Sequence, residues 1–130
     1  MATMLVFNME GPRRAKLNMI CMRHKIRIRA VEKEEFGLTL GALCGKMPVE
    51  GAAEVTPFGE EMIVMADFTT TLANAFLMSW RQAKQAPIRL KAVLTPTNVE
   101  WNAVELYKEL DEENRALSNG EQAHKGTPSP

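Results

Sequence analysis

Apolar and polar positions alternate between two patterns along this chain of 130 residues. Two wholly apolar runs, Met4–Phe7 and Met62–Ala66, predict buried strands. Two further runs, Ile26–Val31 and Ile88–Leu94, alternate apolar with charged residues, which is typical of half-buried edge strands. We therefore predict a four-stranded sheet with the two apolar strands at its centre.

Helical periodicity appears after each strand. A stripe of Leu17, Ile20, Cys21 and His24 predicts a first helix from Pro12 to about Lys25. A weaker pattern over 34–44, interrupted by two glycines, predicts a short second helix. Two longer helices follow. The first is predicted over 72–84, with capping oxygens at Asp67 and Thr69–Thr71. The last begins with a Thr97–Glu100 capping box and is expected to bury Trp101, Val104, Leu106, Tyr107 and Leu110.

The segments without periodicity define the domain organisation. Residues 46–59 contain Pro48, Gly51, Pro57 and Gly59 and predict a long loop, either mobile or functional. From residue 114 onward polar and small residues dominate, which predicts a disordered tail over 114–130. We expect one α+β domain over 1–113, with halves at about 3–45 and 60–113 that the loop connects.

The two halves share a similar hexamer. Ile26–Val31 reads IRIRAV and Ile88–Val93 reads IRLKAV, and each copy follows a predicted helix and precedes a shorter helical segment. This match, together with the apolar strand that begins each half, predicts an internal repeat of two βαβα units.

The fold class follows from the charges on the edge strands. The four cations Arg27, Arg29, Arg89 and Lys91 are expected to form one basic sheet face, which a layer of helices would not cover. We therefore predict a ferredoxin-like, open-faced antiparallel sheet with helices on the other face and a C-terminal helix. A small doubly wound parallel sheet is the alternative that strict strand–helix alternation favours.

One segment resembles a known family. Leu90–Trp101 reads LKAVLTPTNVEW and precedes an acidic helix. It resembles a bacterial family known only as a domain of unknown function, and the likeness extends more loosely to 62–80 and to the first half. The resemblance implies no activity, cofactor or catalytic residue.

The same segment holds the first candidate site. Lys91, Thr95, Thr97 and Asn98 lie where a strand leads into a helix, and exposed backbone N–H groups there can bind a phosphate or carboxylate. Asp67 occupies a similar position after the other apolar strand. Helix capping explains the same residues, and we favour it about three to one.

The absence of net charge conceals an uneven distribution. The chain has 16 Lys and Arg and 16 Asp and Glu, but residues 11–30 hold seven cations and no acid. Residues 99–121 hold seven acids and two cations. An anionic partner such as RNA is one interpretation, yet the predicted strands carry almost no aromatic residue on which bases stack. We favour pairing of the basic and acidic segments within one chain or between copies.

The sequence holds little catalytic chemistry. His24 lies at a helix end between two cations, Cys21 lies on a buried stripe, and Cys44 has no partner in a C-x-x-C pair. Hence we predict no catalytic residue, no metal site and no cofactor. Two unpaired thiols and the lack of a signal-peptide pattern favour the cytoplasm.

These observations predict a non-enzymatic binding or regulatory module. The open sheet face is expected to associate with a second copy or with another protein, so the expected partner is a homo-oligomer or a protein, no membrane is expected, and nucleic acid is disfavoured. A small sensor or enzyme that binds an anionic metabolite near Asn98 and Lys91 is the second hypothesis. Weak RNA binding is the third.

Overall fold

The structure, a computed structural model, describes residues 1–124, with side chains through Ser118. The strands are β1 (Thr3–Phe7), β2 (Arg27–Val31), β3 (Met62–Ala66) and β4 (Leu90–Val93). The helices are α1 (Gly11–Arg23), α2 (Leu40–Leu43), α3 (Thr70–Gln82) and α4 (Ala103–His124), with 3₁₀ turns at Lys33–Glu35 and Asn98–Glu100. None of the described helices is long and apolar enough to cross a bilayer.

The four strands form one mixed sheet in the order β2-β1-β3-β4. The apolar strands β1 and β3 are central and antiparallel to each other, and each pairs in parallel with the edge strand of its own half. The predicted positions of central and edge strands are therefore confirmed, whereas the antiparallel ferredoxin-like sheet and the all-parallel alternative are both wrong. Each half is a βαβ unit, and its helical crossover brings the second strand beside the first in parallel.

Both faces of the sheet are covered, which corrects the expectation of an open face. Because side chains alternate along β1, Met4 and Val6 pack under α1 and α3, and Leu5 and Phe7 pack under α2 and α4. A central strand that is apolar on both sides needs a cover on both sides, and the chain supplies both covers itself.

The loop between the halves is held by aromatic packing. Phe58 is buried, and its ring stacks on Tyr107 of α4 with centroids 4.4 Å apart and lies 4.9 Å from the ring of Phe36. Gly37 lies directly against Ala53, whose N–H donates to the carbonyl oxygen of Gly37 at 3.1 Å. Residues 46–59 are thus irregular in backbone but anchored to the core at both of these points.

Helix α4 begins and ends later than the sequence predicts. The capping box is formed by Asn102 and Glu105, which exchange hydrogen bonds of 2.9 and 3.0 Å, and the side chain of Thr97 caps nothing. The helix continues to His124, so residues 114–124 are helical where we expected a disordered tail. Residues 125–130, the rest of that predicted tail, lie outside the described residues.

The matching hexamers do not occupy equivalent places in the sheet. Thr3 and Met62 are the first residues of the two central strands. Thr3 pairs with Arg27 of β2, and Met62 pairs with Leu90 of β4, so the structure aligns Arg27 with Leu90. The hexamer match instead aligns Arg27 with Arg89, one residue earlier. A shift of one residue moves every side chain of a strand to the other face.

Candidate functional site

The turn that leads into α4 is locked by its own side chains. Thr95 N–H donates to Asn98 Oδ1 at 2.8 Å, and Asn98 N–H donates to Thr95 Oγ1 at 3.0 Å. Asn98 Nδ2 donates to the carbonyl oxygen of Val93 at 3.0 Å. The buried Asn98 therefore shapes the turn, with its amide engaged at both ends.

The remaining members of the predicted anion site do not converge on this turn. Thr97 is exposed and makes no capping bond. Lys91 follows the core residue Leu90 on β4, so it points to the other face, and its Nζ donates to the carbonyl oxygen of Ile88 at 2.9 Å. There it lines a cavity of about 150 Å³ beside Trp80. The four residues thus do not surround a common ligand position.

Asp67 is held by a cation from the loop. Both of its carboxylate oxygens accept from Lys46 Nζ at 2.9 Å, and this hydrogen bond lowers the pKa of Asp67. Asp67, directly after β3, has a φ of 62°, and Asn8, directly after β1, has a φ of 61°. Short polar residues tolerate this left-handed conformation, which ends each central strand sharply before a helix. The cap of α3 comes from Thr69, whose Oγ1 accepts from the N–H of Leu72.

The predicted basic sheet face is also absent. Arg29 lies opposite Leu5, on the α2 and α4 side, whereas Lys91 lies opposite Ile63 on the α1 and α3 side. Exposed Arg27 shares the side of Arg29. The hexamer match aligns Lys91 with Arg29. In the sheet, however, β4 is shifted by one residue relative to that alignment, so Lys91 and Arg29 face opposite sides.

Two of these four cations, Arg29 and Arg89, are paired with carboxylates of the same chain. Arg29 forms two hydrogen bonds with Glu35 at 2.7 and 2.9 Å, which lowers the pKa of Glu35. Arg89 bonds to Glu60 at 2.6 and 2.7 Å and to Asp111 of α4 at 2.8 Å. They therefore tie edge segments to neighbouring elements.

Arg13 shows the same use of a cation on α1. Its guanidinium bonds to Glu61 at 2.7 Å, donates to the carbonyl oxygen of Ala86, and lies 5.1 Å from the centroid of the Trp80 ring. The hydrogen bond that Arg13 donates to Glu61 raises the pKa of Arg13. Sequence reasoning missed this cluster because its members are far apart in the chain.

A groove of about 270 Å³ lies at the carboxyl ends of the parallel strands β1 and β2, where sheets of this kind commonly bind ligands. Its charged lining consists of the carboxylates Glu10, Glu32 and Glu34 and the cations Arg14 and Lys33. This mixture of signs favours neither an anion nor a cation.

Neither cysteine is an activated nucleophile. Burial raises the pKa of the Cys21 thiol to about 12, and burial also raises the pKa of the half-buried Cys44 thiol. Both thiols are therefore protonated near neutral pH. His24 lies at the end of α1, with Nε2 2.8 Å from Ser79 Oγ of α3, and thus connects the two helices. Among the described residues no group of three or more His, Cys, Asp or Glu could hold a metal ion.

The outer surface of α1 and α3 is the feature that the sequence analysis missed. Met19, Met22 and Met78 are 55, 77 and 58% exposed. We call these three side chains the methionine face. Helical spacing in the sequence already places positions 19 and 22 opposite the stripe of Leu17, Ile20 and Cys21.

The two helices that carry the methionine face contain basic residues, most of them on α1, and no acidic residue. Helices α1 and α3 together contain five Arg and Lys residues and no Asp or Glu. Of these, Arg14, Lys16, Arg23 and Arg81 form no ion pair with any residue that the structure describes. The acidic helix α4 lies on the opposite side of the sheet. The sheet thus separates the basic helix α1 from the acidic helix α4, whereas Arg27 and Arg29 of the same basic segment lie on the α4 side.

Comparison with known proteins adds a family-model match over part of the chain and no activity. No curated protein and no solved structure matches the chain. The matching family model carries the description Domain of unknown function (DUF3783) and begins one residue before β3. Its span includes Leu90–Trp101, so the expected likeness to a domain of unknown function is confirmed. Residues 61–117 of this chain therefore match DUF3783.

Proposed function

We propose that this chain is a non-enzymatic protein-binding module that uses the methionine face as its contact surface. The observation that carries the proposal is the exposure of three large apolar side chains on two adjacent helices. Methionine is common at binding surfaces because its flexible, polarisable side chain adapts to different partners.

The placement of the three methionines supports a single contact surface. Met78 lies on the side of α3 opposite the buried Phe76 and Trp80, as Met19 and Met22 lie opposite the buried stripe of α1. The helices are neighbours, since His24 and Ser79 are within hydrogen-bond distance. A partner can therefore contact both helices at once.

The surrounding charge defines the chemistry of the partner. With Lys16 and Arg23 unpaired among the described residues and no acid on either helix, the surface attracts an acidic segment. An amphipathic helix with apolar anchors and flanking carboxylates fits both properties. RNA is less suitable, because this surface offers methionines instead of aromatic rings on which bases stack.

The other hypotheses have less support. An anionic metabolite at the turn would not find the side-chain amide of Asn98 free, since that amide already bonds to Thr95 and Val93. Protein binding through the methionine face requires no open sheet face. We also propose a cytoplasmic location, which the free cysteines Cys21 and Cys44 support.

Site-specific photo-crosslinking tests the proposal. A photoreactive amino acid replaces Met22 in one variant and Val49, which is 70% exposed on the loop, in a control variant. After irradiation in the cells that naturally produce the protein, we expect position 22 to form adducts with an acidic protein segment identified by mass spectrometry. Arg23→Glu in the same variant should reduce these adducts. Adducts no stronger than those at position 49, or adducts with RNA, would overturn the proposal.

A further inference from the structure

We infer that the segment which occupies the methionine face is the acidic end of α4 from a second copy of this chain. The inference rests on the proposed function and names its partner. It is drawn from a second surface, at the other side of the sheet, that also lacks a cover.

That second surface is the continuation of the buried stripe of α4. Leu106 and Leu110 are 2 and 8% exposed and pack under the sheet. Leu117 follows Leu110 by two helical turns and lies on the same side of the helix, yet it is 67% exposed. From Asp111 to Ser118 no side chain is buried. The core-facing stripe therefore extends past the domain, and no residue that the structure describes buries Leu117.

The charges on this helix end select its partner. Asp111 bonds to Arg89 and Arg115, while Glu112 and Glu113 are exposed and form no ion pair with a described residue. Pairing of α4 with α4 of another copy would place these carboxylates against each other. The methionine face has the opposite charge and apolar side chains of matching character.

The contact must form between copies. Helix α4 packs on the face of the sheet that Leu5 and Phe7 line, whereas the methionine face is the outer side of the layer on the opposite face. One chain therefore cannot bring its own α4 end to its own methionine face. Each copy carries one of each surface, so two copies can exchange both contacts, or several can join head to tail.

Two surface variants of the full chain test the inference. Leu117→Ser removes the apolar anchor of the helix end, and Met22→Glu places an acid in the methionine face. Both residues are exposed, so both variants should have the melting temperature of the wild type. If Met22→Glu lowers the melting temperature, Met78→Glu is used in its place. By sedimentation velocity at about 1–100 µM, we expect the wild type to associate with increasing concentration and each variant to associate at least about tenfold more weakly.

Mixing the two variants gives the decisive result. The Leu117→Ser chain keeps an intact methionine face and the Met22→Glu chain keeps an intact helix end, so an equimolar mixture should recover a complex through one contact. Higher salt should weaken that complex.

Other results would overturn the inference. These are a wild type that stays monomeric at about 100 µM, association that only one of the two variants weakens, and a mixture that stays monomeric. The photo-crosslinking experiment separates this failure from failure of the proposed function. Adducts at position 22 with a different acidic protein would retain the function and reject the second copy as partner.

Discussion

Replacing Asn98 by alanine is expected to destabilise the protein through the turn before α4. The side chain of Asn98 satisfies the N–H of Thr95 at 2.8 Å and the carbonyl oxygen of Val93 at 3.0 Å. Thr95 and Val93 are themselves exposed, so water can partly replace the lost bonds. Each bond then contributes about 1 kcal/mol, and the variant should lose about 2 kcal/mol of unfolding free energy.

Thermal unfolding followed by circular dichroism measures this loss. For a domain of this size about 2 kcal/mol corresponds to a melting temperature lower by roughly 6–10 °C. Asn98→Asp should destabilise more strongly, because it keeps an acceptor for Thr95 but places an oxygen against the carbonyl of Val93. Thr97→Ala is the matched control, since the exposed Thr97 makes no capping bond and its loss should cost less than about 0.5 kcal/mol.

The reasoning would be refuted by an Asn98→Ala variant that melts with the wild type, or by a larger effect at Thr97. In the first case the amide would not hold the turn. In the second case the cap of α4 would lie where the sequence predicted it instead of at Asn102.

Three further predictions concern the loop and an ion pair. Phe58→Ala should cost about 3 kcal/mol in a urea unfolding curve and make residues 46–59 cleavable by protease, because the buried ring anchors the loop. Gly37→Ala should cost about 1–3 kcal/mol by the same measurement, since its Cβ would overlap the loop backbone. Arg29→Gln should destabilise by less than about 1 kcal/mol at pH 7. The pKa of Glu35 lies below its ordinary 4.5 in the folded state, so this difference should be present above pH 4.5 and disappear as the pH falls through that pKa.

Gly37→Ala has a matched control, and each of the three predictions has a result that would contradict it. Gly51→Ala, on the same loop with open space around the new Cβ, should leave stability nearly unchanged. Equal effects at Gly37 and Gly51 would argue against the close packing of the loop. A protease-resistant Phe58→Ala variant would show that other contacts suffice to hold it. An Arg29→Gln difference that is constant from pH 7 to pH 2 would show that the pair with Glu35 contributes nothing.

Much of the fold could be predicted because it depends on local pattern. The apolar runs at 4–7 and 62–66 have no polar side to expose, so each must lie at the centre of a sheet. The stripes of α1 and α3 follow from helical geometry, and both helices form. Element type and burial are thus properties of the sequence over a few residues.

The candidate site could not be predicted in the same way. The hexamer at 88–93 matches that at 26–31 in sequence. The pairing of β4 with β3 is shifted by one residue relative to the pairing of β2 with β1 that this match predicts, so Lys91 and Arg29 lie on opposite sides of the sheet. Asp67 is paired by Lys46, a residue of the irregular loop. Such pairings depend on where distant segments meet.

The amino-acid sequence by itself therefore determined the strands, the main helices, and the presence of a basic and an acidic segment. Only the tertiary structure decided that both faces of the sheet are covered, that the sheet lies between the basic helix α1 and the acidic helix α4, and that Met19, Met22, Met78 and Leu117 are left exposed. The physical reason is that periodicity is local, whereas strand direction, register and the docking of helices depend on contacts between residues far apart in the chain.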